Sequence, residues 1–304
     1  MAVAMTVALG APAGAQAAQI GVETIVSAST QGQYLAYEAV PGERNDVTVT
    51  YSTGDTVRVQ DSAGLTVVEG CVLESPTLAV CTTAANEFGD QWELGDGNDI
   101  LRLNGASRGA FEGSTVLDGS GNDVVLGSTI GDTFFDGPGR DRLSGRGGDD
   151  TLFSGGGADV LSGGAGRDTV DYDIPLGTPR RGGVHADLDG KADDGSVGER
   201  DQIRTDVENL GGTPFADRLT GNGRANEITG AGGADRIFGL GGNDTIDAVL
   251  GSAVIDPGAG ADRVQGGRIV RARDGRRDTI SSCGLAVADR LDAVSGCSRV
   301  ARGR

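Results

Sequence analysis

The sequence predicts an all-β chain folded as a parallel β-roll with a small N-terminal β-strand cap region. Three observations predict it: aspartates that recur every nine residues, an apolar residue two positions after each, and glycine-rich turns between them. Composition points the same way. Glycine supplies 54 of 304 residues, more than twice the roughly 7% of average usage, while aromatics are only 4%. Glycine loses more backbone freedom on folding than any other residue, so a chain this rich in it needs an external source of order.

The first element in chain order is Met1 to Ala18, MAVAMTVALGAPAGAQAA, an apolar stretch closing on the small-residue pattern Ala15-Gln16-Ala17. It reads as a secretory signal peptide that lacks the usual basic start. Residues 19–87 form the cap region. There Val47-Thr48-Val49-Thr50-Tyr51 and Thr56-Val57-Arg58-Val59 alternate apolar and polar residues, with Pro41-Gly42 and Thr53-Gly54 as turn signals. Cys71 and Cys81 lie close together in this region, and Cys283 and Cys297 pair similarly near the other end. Two disulfides are expected, because zinc would need four convergent ligands and His185 is the only histidine. Disulfides and a signal peptide together place the protein outside the cell.

The repeat fills residues 88–171 and 212–267. In the first array Asp123, Asp132, Asp141, Asp150, Asp159 and Asp168 stand nine apart without a gap, followed by the apolar markers Val125, Phe134, Leu143, Leu152, Leu161 and Val170. The second array has Asp217, Asn226, Asp235, Asp244, Ala253 and Asp262, with Leu219, Ile228, Ile237, Ile246, Ile255 and Val264. Asp99 sits 24 residues before Asp123, so it belongs to a leading coil beyond a register break. Residues 172–211 read as an interrupting spacer, in which Asp193, Asp194 and Glu199 form a solvated acidic loop or an ion site. Residues 268–304 read as an arginine-rich tail where the repeat decays. No window sustains a helical apolar spacing, and no run is long enough to cross a bilayer.

A nine-residue unit built from a six-residue turn and a three-residue strand sends one side chain inward. Two units make a flattened coil, and coils stack as parallel strands about 4.8 Å apart. Turns then alternate between two edges, with Asp123, Asp141 and Asp159 on one and Asp132, Asp150 and Asp168 on the other. In the second array Asp217 stacks with Asp235, and Asp244 lies between Asp262 and Asn226, which begins its edge. The apolar markers are core residues, and Arg140, Arg142, Arg167, Arg218, Arg236 and Arg263 are solvated charges.

Stacked carboxylates at that spacing repel by roughly 1 kcal/mol in water and about 3.5 kcal/mol at an effective dielectric of 20. A calcium ion accepts oxygens at about 2.3–2.6 Å, so an ion between two turns reaches both, and glycine carbonyls complete its shell. Magnesium demands a tighter octahedron, and softer metals prefer sulfur or imidazole, which the turns lack. Several calcium ions are therefore the expected cofactor. The net charge of −18 makes nucleic acid an unsuitable partner.

The pattern resembles the RTX, or haemolysin-type, calcium-binding repeat of secreted bacterial proteins, G-G-x-G-x-D-x-U-x with U large and apolar. GGAGRDTVD at Gly163 to Asp171 fits at every fixed position, and DGSGNDVVL at Asp118 to Leu126 departs only at the first glycine. The resemblance covers about Leu94 to Val264. It implies calcium ligation by Asp99, Asp123, Asp132, Asp141, Asp150, Asp159, Asp168, Asp217, Asp235, Asp244 and Asp262. Carbonyls of Gly119, Gly121, Gly137, Gly139, Gly155, Gly157, Gly164 and Gly166 are implied beside them. Departures mark weak or empty turns: Ile130 in Gly127 to Asp132, Pro214-Phe215 in Gly212 to Asp217, and Ala248 to Ala253, which lacks the ligand.

No Gly-x-Ser-x-Gly elbow occurs, and His185 alone cannot furnish an HExxH zinc site, so no enzymatic activity is expected. Three functional readings stand at this point: a surface or adhesive scaffold with a cell-surface or polysaccharide ligand, a calcium-dependent accessory module of a secreted enzyme system, and a solenoid carbohydrate-active enzyme.

Overall fold

A computed structural model describes residues 18–26, 31–52, 56–67, 70–82, 89–105, 113–175 and 180–302. The expected signal peptide, apart from Ala18, and the Thr53-Gly54 turn lie outside the described residues. Every regular element among the described residues is a β-strand. Most strands of the roll are three residues long, such as Thr115–Leu117, Val124–Leu126 and Thr151–Phe153, and their middle residue is buried. Three residues suffice because the glycine turns at both ends reverse the chain after a single inward side chain.

Pairing is parallel with a constant offset. Val125 pairs with Leu143, Leu143 with Leu161, Phe134 with Leu152 and Leu152 with Val170. Each apolar marker therefore stacks on its counterpart one coil away. All twelve, from Val125 to Val264, are essentially inaccessible to water. Each buried aliphatic side chain contributes about 1.5–3 kcal/mol, yet only one residue in nine does so, leaving the core thin.

A fourteen-stranded sheet runs from the N-terminal cap to the C-terminal coils. Consecutive strands alternate between it and a second sheet. That second sheet has ten strands in the N-terminal half and is replaced by a seven-stranded one in the C-terminal half. The cap is continuous with the roll, since Gln31–Glu38 and Asp46–Tyr51 pair in parallel with Gln91–Glu93 and Ile100–Asn104. Beyond them the cap turns antiparallel, with Asp46–Tyr51 against Thr56–Asp61 and Thr56–Asp61 against Leu78–Thr82. Cys71 faces Cys81 across an antiparallel pair, and the two are bonded.

Three boundaries read from the sequence differ in the structure. The spacer interrupts only one side of the roll: Thr169–Asp171, Asn209–Gly211 and Glu227–Thr229 are successive strands of the long sheet. The exchange of sheets takes place on the other side, where Ala192–Asp194 closes the ten-stranded sheet antiparallel to Asp201–Ile203 and His185–Asp187 opens the seven-stranded one. The register break before Asp123 is an enlarged coil, because Val124 to Leu126 still pairs with Ile100 to Arg102. The tail beyond Arg268 is more roll. Ile269–Ala272, Thr279–Ser281, Leu285–Ala288, Ala293–Ser295 and Arg299–Arg302 keep the stacking, and the Cys283–Cys297 disulfide joins neighbouring coils.

Candidate calcium-binding edges

The nine-residue aspartates form hydrogen-bonded ladders along the edges. The backbone N–H of Asp99 donates to Asp123 Oδ1 at 2.7 Å, that of Asp123 to Asp141 Oδ1 at 2.7 Å, and that of Asp141 to Asp159 Oδ1 at 2.9 Å. On the opposite edge Asp132 donates to Asp150 Oδ1 at 2.7 Å and Asp150 to Asp168 Oδ1 at 2.9 Å. In the C-terminal half Asp217 reaches Asp235, Asn226 reaches Asp244 and Asp244 reaches Asp262 in the same way. The aspartates share edges as the spacing predicts, except that Asn226 does not begin its edge. One carboxylate oxygen of each ladder aspartate is thereby fixed by the neighbouring coil.

The second oxygen separates two kinds of turn. In Asp99, Asp123, Asp141, Asp150, Asp159, Asp168, Asp235, Asp244 and Asp262 it is buried and has no hydrogen-bond partner. A buried carboxylate oxygen without a partner is costly unless a cation supplies what is missing. Asp132 and Asp217 differ. Their Oδ2 atoms accept the N–H of Ser128 and Thr213, four residues back in their own turns, each at 2.7 Å. Those are two of the turns that lack the glycine pattern. With Ile130 or Pro214-Phe215 inside it, the turn closes on its own aspartate, so the ligand roles implied for Asp132 and Asp217 lose their free oxygen. The third such turn ends in Ala253, which is buried and brings no carboxylate.

The protein's own cations stand at two places where the ladder fails. Near the closed Asp132 turn, Arg146 donates to the carbonyls of Leu103 and Gly127 at 3.0 and 3.1 Å. Where the first edge meets the spacer, the largely buried Arg180 donates to the carbonyls of Ser154 and Gly155, to Ser196 Oγ and to Glu199. Glu199 and Asp194 are thus spent within the spacer, since Asp194 accepts the N–H groups of Asp187 and Ile203. Asp193 is exposed. The arginines named as solvated charges are exposed, with Arg218 lying over the Phe238 ring at 4.9 Å.

Glycine is required at these edges by contact between coils. A Cβ at Gly119, Gly121, Gly137, Gly139, Gly155 or Gly157 would lie 1.3–2.2 Å from the carbonyl oxygen of a glycine in the preceding coil. At Gly164 and Gly166 the obstructing carbonyls belong to Arg146 and Gly148. Every glycine expected to offer a carbonyl therefore lies in a turn whose backbone is packed against the next.

Four ladder positions escape the nine-residue count. Asp201 follows Asp159 and ends its edge, with Oδ2 taken by the hydroxyls of Ser154 and Tyr172. Glu208 follows Asp168 and accepts its N–H at 3.1 Å. Asn226 therefore continues an edge and does not begin one: its Nδ2 donates to the Glu208 carbonyl and its Oδ1 accepts the N–H of Asn222. Asp278 and Asp292 extend the same edge in shortened coils of 16 and 14 residues, and Asp278 Oδ2 is again unpaired. The apolar residues Ile203, Leu210, Ile280 and Val294, two positions after each, are the signal that would have found them.

Burial dominates the electrostatics of the ladders. It pushes Asp123, Asp150, Asp244 and Asp278 up to about 7, and Asp159 and Asp235 up to about 6. Neighbouring carboxylates add to the rise, while the ladder N–H groups oppose it.

The fold and the edges define a metal-binding parallel β-roll, with acceptor-only carboxylates and carbonyls that suit a hard divalent cation. Residues 135–170 and 211–246 match the family model described as RTX calcium-binding nonapeptide repeat (4 copies), and the chain carries such repeats in both segments. No curated protein matches the sequence. The ladder geometry extends beyond the matched segments to Asp99, Asp123, Asp262 and Asp278.

Proposed function

We propose that this calcium-binding β-roll is a secreted surface or adhesive scaffold that folds when calcium is supplied and has no catalytic activity. The observation that carries the calcium dependence is the row of buried aspartate oxygens left without partners on both edges. Bound ions supply the charge that those oxygens lack, and the remaining shell is available from turn carbonyls. A chain with so little apolar core gains a large share of its folding free energy from such ions.

The scaffold reading is supported by how the carboxylates are used. They are committed to ladders inside the edges, and strand faces of the C-terminal half present Arg218, Thr220, Glu227, Thr229, Thr245 and Asp247 in rows that suit a polar, extended ligand. His185, half-buried on its strand, has an acidic neighbour in Asp187 at 3.6 Å. Retention of the purified chain on cell-wall polysaccharide, compared with and without calcium, tests the reading. Calcium-dependent retention is expected, and equal recovery in the unbound fraction under both conditions would count against an adhesive role.

A further inference from the structure

The two edges of the N-terminal half differ at the first turn position. On the edge of Asp150 and Asp168 this position is glycine, and the turn's own aspartate fills the space beside it. Asp150 Oδ2 would lie 1.9 Å from a Cβ at Gly145, and Asp168 Oδ2 2.3 Å from one at Gly163. On the opposite edge the position is held by Asp118, Asp136 and Ser154.

Asp118 and Asp136 are both buried. The N–H of Gly137 donates to Asp118 Oδ1 at 2.9 Å and that of Gly155 to Asp136 Oδ2 at 3.0 Å, so they form a second side-chain ladder beside the first. The other oxygens, Asp118 Oδ2 and Asp136 Oδ1, have no hydrogen-bond partner, and neither has Asp141 Oδ2. One oxygen from each of these three carboxylates lies within 4.8 Å of the other two.

We propose that Asp118, Asp136 and Asp141 form a three-carboxylate calcium site that fills before the other sites on the roll. Separations up to 4.8 Å fit one ion with oxygens at about 2.3–2.6 Å. More ligand charge gives tighter binding, and among the described residues the other group of three acids this close together, Asp187, Asp189 and Asp193, is half-buried or exposed. Arg180, which lines the same cleft as Asp136, is engaged with Ser154, Gly155, Ser196 and Glu199. Asp136 also lines a cleft with Pro138, Gly155, Arg180 and Glu199, which gives an ion a way in.

The inference rests on calcium binding by the roll, and the experiment separates the two. Calorimetric titration of the calcium-depleted full chain with Ca²⁺ is compared with the Asp118→Ser, Asp136→Ser double variant, which copies Ser154 in the next coil. The double variant is expected to bind one ion fewer and to weaken the tightest step at least about tenfold, with its calcium-saturated far-UV spectrum unchanged. An unaltered ion count and first-step affinity would overturn the site and leave the acids sharing protons instead. A wild-type chain that takes up no calcium would overturn the calcium reading and the site together. Should the double variant fail to fold at saturating calcium, Asp118→Asn decides: it keeps an oxygen for the Gly137 N–H and puts an amide NH2 where the unpaired oxygen was. Loss of the tight ion supports the site, and its retention overturns it.

Discussion

The backbone N–H of Asp123 donates to Oδ1 of Asp141, one coil further on, at 2.7 Å, and leaves Oδ2 of Asp141 buried without a partner. That single bond gives the carboxylate two roles. One oxygen ties neighbouring coils together in the folded roll. The other is stable only when protonated or facing a cation, so the ladder is intrinsically sensitive to both pH and calcium.

The pH dependence follows from the direction of the shifts. Aspartate in an unfolded chain titrates near about 3.9, whereas Asp123, Asp150, Asp244 and Asp278 are pushed up to about 7 in the fold. Between those values the folded state holds more protons, so the metal-free roll loses stability as pH rises from about 4 through 7. In chelexed buffer, β-sheet circular dichroism should be stronger at pH 5 than at pH 8. Calcium should reverse that order, because ions require the ionised form. A metal-free signal that grows toward pH 8 would contradict the ladder's electrostatics.

Asp150 and Asp132 occupy neighbouring rungs of one edge yet should respond differently to asparagine. Asp150→Asn keeps the oxygen that accepts the Asp132 N–H but puts an amide where the free oxygen was. It should lower the number of bound calcium ions or raise the midpoint several-fold. Both oxygens of Asp132 accept N–H groups, from Ser114 and Ser128. Asp132→Asn should therefore cost about 1–3 kcal/mol of stability in denaturant melts and leave the ion count alone. The two variants behaving alike by calorimetry would mean that the second oxygen is not the ligand.

Glycines of the turns should divide by what lies beside them. A Cβ at Gly139 would meet the Gly121 carbonyl at 1.6 Å, whereas one at Gly223 meets nothing within 4 Å. Gly139→Ala should destabilise by about 3 kcal/mol or more, since backbone must move to make room. Gly223→Ala should shift the thermal midpoint by only a few degrees. Equal midpoints for the two variants would show that the coils do not pack as described.

The Cys283–Cys297 disulfide closes a loop of sequence separation 14 and joins the last coils of the roll. Replacing both cysteines by serine should lower local stability by about 2–3 kcal/mol. Hydrogen exchange should quicken in 283–302 while calcium uptake by the first array is unchanged. Protection spread evenly along the chain would argue against a locally acting staple.

The repeat was legible because one aspartate and one apolar residue per nine serve two separate physical needs, a turn ligand and a core contact. That pairing placed the edges, the stacking partners and the twelve core markers. Counting by nine missed Asp201, Glu208, Asp278 and Asp292, because coils that lengthen or shorten in their loops keep the same rung while changing the spacing. It also could not see that Asp132 and Asp217 turn back on their own backbones. That depends on loop geometry set by Ile130 and Pro214. Asp118 departs from the nonapeptide pattern at the first glycine, and its importance lies in the carboxylate it adds.

The proposed function requires that calcium complete the unpaired row of oxygens, including those of Asp141, Asp150 and Asp244, and thereby fold the roll. Far-UV circular dichroism of the full chain, titrated with Ca²⁺ from a chelated start at neutral pH, tests it most directly. The expected result is a largely unfolded array without calcium that becomes β-rich at millimolar or lower Ca²⁺. A spectrum already β-rich in excess chelator, and unchanged by calcium, would contradict it.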